Sequence, residues 1–295
     1  MKLGVALPVI DREVGGDPAA IREFAQAAEA IGYQDLATPD HVLGVNAASR
    51  PDWGDRNTSA DLFQDPFVLF GFLAACTETI EFSTQLLILA QRQTVLVAKQ
   101  AACLDVLCGG RFRLGIGVGW NPVEFTGLNE NFHNRGRRSE EQVQVMKALW
   151  AAPHVSFRGE WHTIEDAGIN PLPGKRSVPL WYGGHDDRTL QRIAKWGDGW
   201  MPNAYPPDQS ALDVFARLRS LTTAAGRISP SSAVTSGAAS RQFTAAGSAP
   251  ARTSPNIAVT QPTWLRAMTG TTSPGRTPAA ANTAASRSID AARPA

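Results

Sequence analysis

Along residues 1–226, short apolar runs of strand type alternate with longer segments whose apolar residues recur at helical spacing. KLGVAL is a first strand. Asp17-Pro18 then supplies an N-cap and a favoured first helical residue. Ile21, Phe24, Ala25, Ala28 and Ile31 follow on one face, and Gly32 stops the helix. QDLA (34–37) is the next strand and runs into Thr38-Pro39-Asp40-His41. A polar loop over 43–64 leads to a second cap, Asp65-Pro66, and a helix through Phe67, Phe70 and Leu73. Residues 80–89 read as one strand, 94–107 as a helix closed by Gly109-Gly110, and FRLGIGV (112–118) as a fourth strand, with Pro122 after it in place of a helix start. Ser139 with Gln142 forms a capping box for a helix through Val143, Met146 and Leu149. VSFRGEWHTI (155–164) is a hairpin outside the repeat. VPLWYGG (178–184) is a fifth strand, Asp186 or Asp187 caps the helix through Leu190 and Ile193, DGWMP (198–202) is a sixth strand, and Pro207 opens a helix running to about Gly226.

Regular strand-then-helix order predicts parallel strands joined by right-handed crossovers. Two α/β architectures accommodate it, a closed (β/α)8 barrel of TIM type or an open doubly wound sheet. Six βα units are countable, and a barrel needs two more. Those would have to come from residues 227–295, where 48 of 69 residues are Ala, Gly, Pro, Ser or Thr and NIAVT (256–260) is the one strand candidate. Such a composition buries too little apolar surface to offset an ordering entropy of roughly 1–2 kcal/mol per residue. Three readings stand for this segment: a disordered basic tail for nucleic acid, a natural linker or low-complexity tail, or a C-terminus replaced, for example by a frameshift. The third is favoured. Domain organisation is then 1–226 as a barrel lacking or altering its last two units, followed by 227–295 as a low-complexity tail.

Charge divides the chain at the same place. Seven of the 28 basic residues, all arginine, and one of the 27 acids fall in 227–295; residues 1–226 keep 21 and 26, a net of −5. Only the first part has the mixed charged surface of an ordinary enzyme. Three cysteines (Cys76, Cys103, Cys108) offer neither a disulfide framework nor metal spacing, so no metal is expected and a reducing cytoplasm is the default. No apolar stretch approaches the roughly 20 residues of a membrane helix. The opening residues carry acids directly after the apolar run and read as a strand, not a secretory signal.

In parallel α/β folds chemistry collects at the carboxyl ends of strands. Asp40 and His41 end the second strand, and an imidazole there can pass a proton near neutral pH; the plain alternative is a loop histidine bonded to its acidic neighbour. Gly115, Gly117 and Gly119 alternate through the fourth strand and leave room for a flat ligand, or simply allow close packing inside a barrel. They form GxGxG, a poor dinucleotide fingerprint. Gly183 and Gly184 precede a helix whose first amides suit an anion, although Asp186 and Asp187 also cap it. Arg135, Arg137 and Arg138 could meet a phosphate, but such a run more often forms a solvated helix entrance paired with Glu140 and Glu141. His133, His154 and His162 have no ligand spacing and read as structural or exposed. Trp120, Trp181 and Trp200 fall near strand ends, as pocket walls or core.

Three blocks together, ATPDHV, AKQAACLDVLCGGRFRLGIGVGWNPVEFTGL and VPLWYGGHDDRTLQRIAKWGDGW, resemble the luciferase-like flavin and deazaflavin oxidoreductases, in particular the F420-dependent branch. The resemblance covers about residues 1–222. It implies a (β/α)8 barrel with an insertion hairpin and a flavin-like ring at the strand ends. His41 would be the histidine beside the ring that helps proton transfer, and Asp40 would lie near the ring or its side chain. Thr84, Gln85 and Leu86 would form a bulged, often cis, peptide backing the ring. Gly117, Gly119 and Asn121 would shape the cofactor groove, and Gly183 and Gly184 would form the phosphate-binding turn. Trp120 stands where the deazaflavin-dependent dehydrogenases carry a catalytic glutamate, for which Glu124, four residues on, is a poor substitute. Thr94 and Cys108 replace a proline and a serine common in the family.

The resemblance thus implies an oxidoreductase that moves a hydride between coenzyme F420 and a small-molecule substrate. It would work in the cytoplasm without nucleic acid or membrane, as a homodimer like many of the family. Two alternatives stand beside it: an FMN-dependent luciferase-like monooxygenase, and a non-catalytic, truncated barrel that no longer binds cofactor.

Overall fold

The computed structural model describes residues 3–202 and 209–227. The chain runs through strand β1 (Gly4–Ala6), the single turn α1 (Arg12–Gly15), helix α2 (Pro18–Ala30), β2 (Asp35–Thr38), α3 (Pro66–Ala74), β3 (Glu81–Thr84), β4 (Leu87–Ile88), α4 (Thr94–Leu107), β5 (Phe112–Gly117), α5 (Pro122–Gly127) and α6 (Arg135–Ala151). The hairpin β6 (Val155–Arg158) and β7 (Thr163–Ala167) follows, then β8 (Leu180–Gly183), α7 (Asp187–Trp196), β9 (Gly199–Met201) and α8 (Gln209–Ala224). The low-complexity segment beyond residue 227, and the helix start expected at Pro207, lie outside the described residues.

All pairings in the main sheet are parallel, in the order β1-β2-β3-β5-β8-β9, with β4 also pairing β5. Sequential strands that are spatial neighbours, each followed by a helix, make this a parallel half-barrel rather than a doubly wound sheet, whose strand order would reverse. Among the described residues β1 and β9 each have one strand neighbour.

Strand alternation sorts side chains onto two faces. Leu36, Phe82, Phe112, Leu114, Ile116 and Leu180 are fully or almost fully buried, and Phe82 and Phe112 pack on Phe70 of α3 with ring centroids 5.1 and 6.3 Å apart. These positions face the helices. The alternate positions carry polar or minimal side chains. Asp35, Glu81 and Arg113 meet across β2, β3 and β5, where Arg113 pairs with both acids and lies 4.4 Å from the Trp181 ring. Gly115 and Gly117 stand above them on β5. A β-carbon on Gly115 would lie 2.0 Å from the carbonyl oxygen of Thr84, so this glycine is required by the approach of β3.

The Asp17, Asp65 and Asp186 caps form as expected, accepting from Ala19 N, from Phe67 and Val68 N, and from Thr189 N. Three expectations are corrected. The strand over 80–89 is two strands, broken at a cis Gln85–Leu86 bond. Pro122 does open a helix: Asn121 accepts from Val123 N at 2.9 Å and Pro122 is the first residue of α5. The helix expected to start at a Ser139–Gln142 capping box starts at Arg135 instead. Ser139 is buried and donates to Gly136 O, while the Gln142 amide is drawn away to Leu89 O, Arg92 O and Thr94 Oγ1.

The arginine run is likewise more interior than expected. Arg135 donates to Gly119 O and Phe132 O, and Arg138 is buried against Glu130 and Ala90 O. Only Arg137 is solvated, and Glu140 and Glu141 pair instead with Arg192 and His162. His162 is therefore an internal residue: it bridges Glu141 and Thr94, so the hairpin turn is tied to the first turn of α4 and the second turn of α6.

Candidate functional site

The rim at the carboxyl ends of the strands carries three adjoining groups of candidate residues. The first surrounds His41, just beyond β2. Its acidic partner is not neighbouring Asp40 but Glu124 of α5, whose Oε2 lies 3.1 Å from His41 Nδ1. Glu124 Oε1 accepts from Val42 N at 2.8 Å and Leu43 N at 3.3 Å, and the Gln91 amide donates to Oε2 at 3.4 Å. The Glu124 side chain is 1% exposed. Burial pushes its carboxyl up, but the hydrogen bond and charge of His41, joined by the two backbone amides, hold it below the usual carboxylate range. Phe63 and Trp120 meet the imidazole edge-on at 4.8 and 6.0 Å; Trp53, from the long loop after β2, stacks on Trp120 at 5.7 Å. Trp120, at 47% exposed, forms the outer wall.

Asp40 faces the other way. Its Oδ2 accepts from Ile88 N at 2.9 Å and its Oδ1 from Arg92 at 2.7 Å, while Arg92 also reaches Asp65, the cap of α3, at 3.0 Å. Burial drives the Arg92 guanidinium down, and Asp40 and Asp65 more than reverse this, raising it. The buried Asp40–Arg92 pair holds β4 and its approach to the β2 loop.

The second group is the shelf between β3 and β4. Thr84 donates to Gly115 O at 2.6 Å, Gln85 and Leu86 form the cis bond, and the Leu86 side chain reaches over β5 toward β8. A β-carbon on Gly117 would meet Leu86 at 3.3 Å, and one on Gly183 at 1.7 Å. Glycine at both positions is what lets Leu86 lie across the strand ends. Gly119 has φ +75°, with Ile88 and Phe125 filling the space of a side chain. Asn121 is fully buried, and its amide Nδ2 has no hydrogen-bond partner.

The third group lines a narrow cleft between β5, β8, α6 and α7, walled by Gly117, Val118, Gly183, Tyr182, Ser139, Thr189 and Arg192. Gly184 turns the chain at φ +100°, and Trp200 Nε1 donates to its carbonyl at 2.7 Å. Asp186 occupies part of the first turn of α7 through Thr189. Arg192 uses its Nε on Glu140 at 2.8 Å, and its terminal nitrogens lie beside Gly136. Burial, and then the nearby charge of Arg192, push the Arg135 guanidinium down. Two adjacent guanidiniums beside hydroxyls and a helix start fit an anionic group such as a phosphoryl. A larger groove along α8, lined by Leu212, Phe215 and Arg219, holds none of the candidate residues. Among the described residues no group of three or more His, Cys, Asp or Glu is placed to hold a metal ion, and no helix is long and apolar enough to cross a membrane.

The structure therefore brings His41, Asp40 and the 84–86 shelf to one rim with Gly117, Gly119 and Asn121, and sets Gly183 and Gly184 at its far end. Sequence reasoning missed Arg92, Gln91 and Arg192, and considered Glu124 only as a stand-in for a catalytic glutamate, not as the partner of His41. The spacing Asn121-Pro122-x-Glu124 is an N-cap signature that marks Glu124 as a helix-entry residue, but nothing local says that it reaches back to residue 41.

Comparison with known proteins gives the family. The profile of the luciferase-like monooxygenase family matches residues 1–290. The chain belongs to that family. An uncharacterized protein of Mycobacterium tuberculosis is 34% identical over 213 residues, 70% of this chain and 73% of its own. Pyrimidine monooxygenase RutA of Allorhizobium ampelinum is 31% identical over 211 residues, 67% of this chain and 55% of its own. Among solved structures, an F420-dependent secondary alcohol dehydrogenase, in complex with an F420–acetone adduct, superposes with a TM-score of 0.64 at 24% identity, covering 77% of this chain and 65% of that one. These likenesses make the protein an oxidoreductase-family chain with a luciferase-like fold. Among its relatives are thus an F420-dependent enzyme and an FMNH2-dependent dimethylsulfone monooxygenase of Pseudomonas putida.

Proposed function

We propose that the protein moves a hydride between coenzyme F420 and a small organic substrate, with His41 as the proton-transfer residue. The observation that carries this reading is the His41 imidazole, tied through Nδ1 to a buried carboxylate beside the glycine-lined shelf. One ring nitrogen is thereby left to give or take the proton that balances a hydride. Bound F420 would supply the hydride-carrying carbon, while the protein contributes orientation and electrostatics. Thr84, Gln85 and Leu86 would back the ring, with Gly117, Gly119 and Asn121 shaping its groove. Asp40 would act through Arg92 and Ile88 N to hold that shelf in place. Gly183, Gly184, Thr189 and Arg192 would hold the phosphoryl tail. Trp120 and Phe63 would keep water from His41.

A second reading, an FMN-dependent monooxygenase in the same groove, is supported by the likeness to an FMNH2-dependent dimethylsulfone monooxygenase of Pseudomonas putida, 25% identical over 201 residues. In either case we take residues 1–226 as the cofactor-binding body, acting in the cytoplasm as a homodimer and binding neither nucleic acid nor membrane, with 227–295 as an appended tail. The test is turnover of F420 absorbance by wild type and His41→Ala. His41→Ala is expected to lower kcat roughly 10²–10⁴-fold while cofactor affinity stays within about threefold. Binding of neither cofactor by the wild type would instead support a non-catalytic barrel.

A further inference from the structure

We infer that Glu124 is a positioning residue that fixes the tautomer and the loop of His41. The inference rests on the reading of His41 as the proton-transfer residue. Glu124 has four donors and one carboxylate. Oε2 faces His41 Nδ1 at 3.1 Å and the Gln91 amide at 3.4 Å, while Oε1 faces the amides of the next two residues, Val42 and Leu43, at 2.8 and 3.3 Å. An ionised carboxylate can only accept hydrogen bonds. The proton on His41 must therefore sit on Nδ1, which leaves Nε2 as the nitrogen that changes state. The same side chain stops the peptide after His41 from turning, because two consecutive amides share one oxygen.

The placement argues against Glu124 as a proton donor in its own right. Its side chain is 1% exposed, lies behind the imidazole, and has both oxygens engaged. It is held there by the short helix α5, with Asn121 capping and Pro122 at the first position. Phe125, next in the chain and fully buried, packs with Ile88 and Ala90 and anchors the helix. A carboxylate that orients an imidazole without touching the reacting atoms acts by selecting the productive tautomer, and the wrong tautomer can cost several orders of magnitude in rate.

The experiment uses the full-length chain with 15N-labelled histidine and reads ring-nitrogen shifts, with His41 assigned by comparison with His41→Ala. Wild type should show His41 protonated at Nδ1. Glu124→Gln keeps the shape but supplies an amide with its own donor, and should move His41 to a mixture of tautomers. Glu124→Asp, one methylene shorter, should retain a larger Nδ1–H fraction than Glu124→Gln. With cofactor bound, Glu124→Gln should lower kcat roughly 10²-fold and leave KM within about threefold, the pattern of lost general acid–base function. A thermal melt of each variant separates misfolding from tautomer loss. His41 signals that are identical in wild type and a folded Glu124→Gln would overturn the inference. Failure of the wild type to bind F420 or FMN would overturn the functional reading alone, since the tautomer is read without cofactor.

Discussion

Leu86 occupies the space that a side chain at residue 183 would need: a β-carbon on Gly183 would stand 1.7 Å from Leu86 Cδ1. The shelf after β3 and the turn after β8 are thereby fitted to each other. Gly183→Ala is expected to displace Leu86 and to destabilise the fold by about 1–3 kcal/mol, the usual cost of overpacking. The double variant Gly183→Ala/Leu86→Ala should recover part of that loss in denaturant unfolding. Additive losses in the double variant would mean that the two residues do not compete for one space.

Arg92 should matter as much to folding as to binding. It is the guanidinium partner of the buried Asp40 side chain and also holds Asp65. Arg92→Met leaves the Asp40 charge without its guanidinium, which typically costs about 3–5 kcal/mol. Asp40→Asn together with Arg92→Met removes both charges and should be less harmful than the arginine change alone. A double-mutant cycle by urea titration measures the difference.

Acid should loosen the rim and the hairpin together. Glu124 and Glu141 are both held below the ordinary glutamate range: burial opposes ionisation, but His41 with two amides outweighs it for Glu124, and His162 with three amides for Glu141. Carboxyls with lowered folded-state values contribute stability that is present above their unfolded value, roughly pH 4.3, and lost as pH falls through the folded values. The melting temperature should therefore drop on acidification from pH 5 to 3. Glu141→Gln should start lower and fall less steeply over the same window, as followed by circular dichroism.

The strand-and-helix frame was readable because its signals are local. Leu36, Phe82, Phe112 and Leu114 alternate with small or polar residues, and Asp17, Asp65 and Asp186 sit directly before the helices they cap. The start of α6 was not readable, because the partners of Arg135 and Arg138 are carbonyls and a carboxylate from other parts of the chain. With those charges satisfied, a polar run becomes the first turn of a buried helix. His41 could be picked out by its place after a strand, yet its partner lies on the distant helix α5, so the nearer Asp40 looked like its acidic partner. Arg192 shows no signal at all in the sequence: it is one more charged residue on an amphipathic helix until the fold brings α6 beside it.

Arg192 is also the clearest handle on the anionic end of the groove. Arg192→Ala should weaken binding of FMN by about 10–100-fold, the worth of a charge-assisted hydrogen bond, while leaving riboflavin, which lacks the phosphate, within about threefold. Fluorescence titration of both ligands gives the comparison. Equal weakening of the two would place Arg192 away from the phosphoryl group.

The most direct measurement is equilibrium binding of F420 and FMN to the purified full-length chain, followed by ligand fluorescence. The account predicts saturable binding of F420 at one site per chain, tighter than FMN, and weakened when Gly184→Asp sets a carboxylate at the turn before α7. Saturable FMN binding with none for F420 would contradict the deazaflavin assignment, and an unchanged affinity in Gly184→Asp would remove the phosphoryl tail from that turn.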